Sequence, residues 1–267
     1  MILRHAREPM EGVNIDDTFE AVDERTGAAL GSCTIYVHES DELFPSRPVR
    51  IYMDIQGDPA PDALLGAAVA RAKGLAMEYD APSRIFTQVE PNDAERMESL
   101  QTLGFKDNDG LVCMRRELPC EIESQMPIGC VIVRDDLDDP IEQKYFLERY
   151  NQLFNEEYDF DWLQDFRLKE GFERILIVAP TGMAGECITW KENGAGRIGW
   201  LYVSRKWRGM KVSRTLLDIA CMDFEDDGLT RAEAEVQARI PGMLHVMESA
   251  GFRQAELILR YPGIDIG

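Results

Sequence analysis

The 267 residues carry 49 acidic against 29 basic side chains, a formal net charge of −20, with 45% hydrophobic content. That is enough apolar material for one large core or two ordinary ones, and the negative balance repels nucleic acid and anionic lipid, so neither is an expected partner. No stretch is apolar enough to span a bilayer, the start Met1-Ile2-Leu3-Arg4-His5 lacks a secretory apolar run, and six scattered cysteines without a CxxC pair sit beside only three histidines, so the expectation is a cytoplasmic chain with reduced thiols and no metal.

In chain order, residues 31–37 and 49–55 alternate as strands, and after the turn 57–61 the apolar positions Leu64, Leu65, Ala68, Val69, Ala72, Leu75 and Ala76 predict a helix. A strand over 84–89, a helix from Asp93 to Leu103 closed by Gly104, and a strand over 111–114 complete the first half. The proline-bounded stretch 118–127 reads as a linker, which sets two domains at 1–124 and 125–267. The second half predicts a strand at 130–134, helices at 140–154 and 162–168, strands at 174–179, 186–191 and 197–203, a helix at 213–225, a strand at 232–238, a helix at 241–250 and a strand at 255–260.

Both halves end as strand, helix, strand, helix closed by Gly-Phe (Gly104-Phe105 and Gly251-Phe252), strand, which points to duplication of a whole domain. The stretch from Leu201 to Leu217, with Arg208-Gly209-Met210-Lys211-Val212-Ser213 between strand and helix, resembles the central motif of GNAT acetyltransferases, Arg/Gln-x-x-Gly-x-Gly/Ala. Lys211 and Ser213 depart from the motif's glycine and its final glycine or alanine. The resemblance implies an α/β (α+β) chain of tandem GNAT-like domains, each a mixed, mostly antiparallel sheet flanked by helices, with acetyl-CoA as acyl donor.

A helix N-terminus gathers unpaired amides and partial positive charge, which suits a pyrophosphate. The donors would be Gly209, Met210, Lys211, Val212 and Ser213, with Arg208 adding charge and Ser213 able to cap the helix; the backbone of Leu201 and Val203 would pair with the pantetheine arm. The plain alternative is a basic turn before a helix. The first-half connection, residues 56–62, is acidic and proline-rich and would repel a pyrophosphate, so residues 1–124 read as a degenerate copy.

The family commonly places a glutamate on the central strand and a tyrosine four residues before the Gly-Phe. Here residues 197–203 hold no carboxylate and the tyrosine position is Met247. Glu235, mid-strand among apolar neighbours where burial would raise its pKa, is the expected base, against the reading of a carboxylate on a wet sheet face. Tyr202 and His245 are the substitute acids. Tyr158, Asp159 and Trp162, in an acidic and aromatic stretch from Asn155, would receive a cationic amine, the alternative being that Asp161 caps a helix while Phe160 and Trp162 pack. The expected activity is N-acetylation of a small amine or an amino terminus, and the rival is a non-catalytic acyl-CoA sensor. The aromatic surface of the first half leaves open whether it faces its partner domain or another subunit in a homo-oligomer.

Overall fold

The structure, a computed structural model, describes residues 1–6, 13–57, 60–122, 125–154, 156–240 and 242–267. Asp58 and Pro59 of the first-half turn, Glu123 and Ser124 at the expected boundary, Asn155 and Pro241 lie outside the described residues. The chain runs β1 (Ile2–His5), β2 (Thr18–Val22), β3 (Ala29–Glu39), β4 (Val49–Gln56), α1 (Asp62–Glu78), β5 (Ser83–Thr87), α2 (Ala94–Thr102) and β6 (Gly110–Glu117). It continues through β7 (Val131–Asp135), α3 (Pro140–Phe154), α4 (Phe160–Arg167), β8 (Glu173–Ala179), β9 (Gly182–Glu192) and β10 (Ala195–Val203). A short turn at Arg205–Trp207 leads to α5 (Val212–Asp226), β11 (Arg231–Gln237), α6 (Met243–Ser249), β12 (Arg253–Arg260) and β13 (Gly263–Ile266). Among the described residues no helix is long and apolar enough to cross a membrane.

The fold is α/β with two mostly antiparallel sheets, ordered β1-β2-β3-β4-β5-β13 and β12-β6-β11-β10-β9-β8-β7. The chain divides into a unit of residues 1–111 with 257–267 and a unit of residues 112–256. The division therefore falls before the expected linker, and the last residues return to the first unit. β6, expected to finish the first half, lies between β12 and β11, and β13, which the sequence reading missed, takes the place beside β5. The cause is local: the fully buried Arg84 donates to Asp265 Oδ1 at 2.8 Å, to the Tyr261 carbonyl at 3.0 Å and to Asn108 Oδ1 at 2.9 Å. A Cβ on Gly263 would lie 2.6 Å from the Arg84 guanidinium carbon, so only glycine lets β13 close over it.

In the first unit all seven helix-spaced apolar residues of α1 are buried, and they share a core with Met97 and Leu100 of α2. The other face of this sheet carries Tyr36, Tyr52 and Phe86 side by side, with ring centroids 6.2 Å and 5.4 Å apart. In the second unit α5 packs on β8, β9 and β10 from one side. On the other side α3 and α4 enclose an aromatic cluster with Trp190 and Trp200. Both α2 and α6 close alike: Gly104 and Gly251 take φ 93° and 83°, and the amides of Phe105 and Phe252 reach back five residues to the carbonyls of Leu100 and Met247. A positive φ after the last turn is what glycine allows cheaply, which is why the Gly-Phe pairs were legible.

Candidate functional site

β10 and β11 are the parallel neighbours of the second sheet, and they stay together for only three residue pairs, ending at Ile198↔Ala234. Beyond that point β10 continues to Val203 with its β11-facing edge open. The divergence coincides with a bulge, because the register of β10 against β9 shifts between Ile198 and Trp200. Gly199 occupies the bulge, and a Cβ there would sit 1.8 Å from the Trp190 ring. An extra residue in one strand bends it and increases its twist, which turns the end of β10 away from β11.

The loop after the open strand folds tightly. The Trp207, Arg208 and Met210 amides donate to the carbonyls of Ser204, Arg205 and Trp207 at 2.8, 3.3 and 3.3 Å. The amides of Gly209, Lys211, Val212 and Ser213 donate to no acceptor among the described residues. Met210 thus leaves the expected set of five donors, and four remain at the head of α5. Lys211, at φ 62°, is the N-cap and makes no side-chain cap bond, while Ser213 lies inside the first turn and does not serve as the cap. No acidic residue occupies that turn to offset the helix's positive end. Gly185 brings α5 close to the strand: a Cβ there would be 2.8 Å from the Tyr202 carbonyl and 2.9 Å from Val212. Arg208 folds back, its Nε donating to the Val203 carbonyl at 3.2 Å, which occupies one of the strand groups expected to face the pantetheine arm.

At the corresponding place in the first unit a side chain reaches the strand edge, beside a cavity of about 250 Å³ lined by Ile55, Gln56, Thr87 and Gln88. β4 and β5 pair in parallel up to Met53↔Thr87, and Arg96 of α2 donates through Nη2 to the carbonyl of Ile55 just beyond, at 2.5 Å. Asp62 stands in the first turn of α1.

The expected chemical groups fall into three settings. Tyr202 lines a cavity of about 750 Å³ on the α3 side of the second sheet, the face opposite Leu201 and Val203. Glu235 is not buried among apolar side chains: its side chain is 44% exposed and its Oε1 accepts from Arg197 Nη2 at 2.8 Å, while Nη1 of the same arginine holds Glu233 at 2.9 Å. Glu235 thus stands on a wet sheet face, the other reading of its position in the sequence. Burial acts on Glu233 in the raising direction, but the hydrogen bonds and charges of Arg115 and Arg231 hold it below the usual carboxylate range. Met247 is packed in the core at 2% exposure, and His245 is exposed on α6.

Tyr158, Asp159 and Trp162 build the entry to α4. Asp159, rather than Asp161, caps the helix by accepting from the Trp162 amide at 3.0 Å, and the Tyr158 ring stacks on Trp162 at 4.4 Å. Tyr150 lies between Trp162 and Trp200, and burial pushes its hydroxyl up to about 12.

Sequence reasoning passed over Glu186, the cross-strand partner of Tyr202. Its side chain is fully buried, and Oε1 accepts from Arg149 Nε at 2.9 Å, Arg149 Nη2 at 2.6 Å and Trp200 Nε1 at 2.9 Å. Oε2 accepts no hydrogen bond among the described residues, and Arg174 Nη1 lies 4.0 Å away. The available signal was a single carboxylate inside the apolar run from Met183 to Trp190, because an ionised group is buried there only when it is paired.

Residues 138–252 match the sequence profile of the acetyltransferase (GNAT) family. No curated protein matches the sequence. Among solved structures, a GCN5-related N-acetyltransferase from Sphaerobacter thermophilus is similar with a TM-score of 0.53 at 16% identity, over 96% of this chain and 82% of that one. A conserved protein from Enterococcus faecalis V583, described as a probable N-acyltransferase, has a TM-score of 0.54 at 10% identity, over 91% of this chain and 61% of the other. At these identities the likeness concerns the fold.

Proposed function

We propose, from the match of residues 138–252 to the acetyltransferase (GNAT) family, that the chain transfers an acetyl group from acetyl-CoA to the primary amine of a small molecule or an amino terminus. The observation that carries the reading is the open edge of β10 beyond Ile198, running into a helix head with four amides that donate to no acceptor among the described residues. The open strand offers main-chain groups to the pantetheine arm in the manner of an added strand, with Leu201 in its middle. The amides of Gly209, Lys211, Val212 and Ser213 receive the pyrophosphate, with the positive charges of Arg208 and Lys211 beside them. The amine nitrogen attacks the thioester carbon, the carbon–sulfur bond breaks, and a backbone amide of the open strand stabilises the oxyanion. Tyr202 returns a proton to the departing thiolate. Glu235, one residue past the last paired position of β11, accepts the amine's proton, and Arg197 orients its carboxylate.

Met247, buried where the family's proton-donating tyrosine stands, favours a second reading, an acyl-CoA-binding module without turnover. Calorimetric titration with acetyl-CoA tests both readings: micromolar or tighter binding is expected, weakened at least tenfold by Arg208→Glu, and folded protein that binds none removes enzyme and sensor together. CoA release in the presence of amines then separates them, since a sensor stays at the hydrolytic background with every acceptor.

A further inference from the structure

We propose that the acceptor is a primary amine carried on an apolar body, bound in the groove between α3 and the second sheet that runs from β7 to Tyr202. The proposal rests on the acyltransferase reading, which brings the thioester to the Tyr202 end. Four strands contribute one row of side chains to the groove, Val133, Leu176, Glu186 and Tyr202, each the register partner of the next. The cavity above this row, about 750 Å³, is of the size that encloses small organic ligands.

Its lining is divided by chemistry. The floor is apolar, made by Val133, Leu176, Val178 and Met183, whereas the uncharged polar groups of the lining, Tyr145, Gln152 and Tyr202, stand on α3 and at the β10 end. Glu142 and Glu148 stand on the α3 side with side chains 50% and 59% exposed, and Tyr145 lies between them in sequence. Both guanidiniums of the groove are already engaged: Arg149 by Glu186, and Arg174 by Asp135 at 2.7 Å and Glu142 at 3.2 Å. Counting Glu186 beneath the floor, four carboxylates face two arginines and Lys144, whose Nζ stands 3.8 Å from Glu148 at the exposed rim, so the groove keeps a net negative charge beside a low-dielectric wall. Oε2 of the fully buried Glu186 accepts no hydrogen bond among the described residues, its nearest cation being Arg174 Nη1 at 4.0 Å, so the carboxylate keeps room for one more donor. A cation with an apolar body satisfies both halves of the lining. A carboxylate meets like charge, and a polyhydroxylated amine leaves its hydroxyls against the floor without partners.

The probe is 2-phenylethylamine, compared with 3-phenylpropionate, an anion on a similar body, and with spermidine, a cation without an aromatic body. Ligand-observed NMR on the full chain is expected to show binding of 2-phenylethylamine alone, and CoA release is expected to favour it over spermidine at least tenfold in kcat/KM. Glu142→Gln with Glu148→Gln should raise the KM for the amine about tenfold with kcat and acetyl-CoA affinity little changed. Glu148→Gln alone, at an exposed position that leaves Arg174 paired, should show a smaller shift in the same direction. Binding of 3-phenylpropionate, or amine binding indifferent to both variants, overturns the groove assignment even if acetyl-CoA binds. Failure of acetyl-CoA to bind while the amine still binds in a Glu148-dependent manner sinks the acyltransferase reading and leaves the amine site standing.

Discussion

Lys211 holds φ at 62°, a backbone region that costs an L side chain about 1–2 kcal/mol and glycine almost nothing. The geometry explains why the family motif has glycine here, and it shows that the loop keeps its shape without one. Lys211→Gly removes that strain but adds conformational freedom to the unfolded chain, worth about 0.4–1 kcal/mol, so the net effect is a gain of about 0–1.6 kcal/mol. Thermal unfolding should show a midpoint raised by a few degrees; a lowered one would mean that the lysine side chain contributes more to the native loop than its backbone angle costs. At the same scale, Glu235, expected to be buried, is exposed and paired with Arg197, whereas Glu186, which sequence reasoning passed over, is fully enclosed with Arg149 and Trp200.

The element that makes the cleft is the bulge of β10. A methyl group at residue 199 would have to displace the Trp190 ring, and overpacking of this kind costs about 1–3 kcal/mol. Gly199→Ala should lower the denaturant midpoint accordingly, and on the proposed function it should weaken acetyl-CoA binding more than Gly66→Ala in α1, where nothing lies within 4 Å of the added atom. Equal effects of the two on acetyl-CoA would show that the strand divergence does not depend on the bulge. α5 contributes the other half of the site, seated by Val212, Leu216, Ala220 and Phe224 with its uncapped head beside the end of β10. Its amphipathic spacing was legible; that Met210, expected among the donors at its head, bonds to Trp207 instead was not, since this depends on how residues 204–211 turn.

Across the whole molecule, the two units share the run β2-β3-β4-α1-β5-α2 and β8-β9-β10-α5-β11-α6 with its Gly-Phe helix closure, but α3 and α4 have no counterpart among the described residues of the first unit and the parallel strand pairs differ. In the second unit the pair diverges after three residue pairs, whereas in the first it holds for five and Arg96 is bonded to the strand beyond. Acetyl-CoA is therefore expected to bind with a stoichiometry of one per chain, measured by calorimetry or native mass spectrometry, and two per chain would show that Arg96 yields its place. Local spacing determined most of the elements: the seven buried positions of α1, the strand alternation of β3, β4 and β10, the glycine-closed helices and the basic loop before α5 are all set by residues near one another in sequence. Tertiary structure alone decided that β6 joins the second sheet and β13 the first, because that exchange depends on the buried Arg84 meeting Asp265, 181 residues away. It likewise decided which carboxylate is buried and where the strands part, since burial and strand separation depend on partners that adjacent residues do not specify.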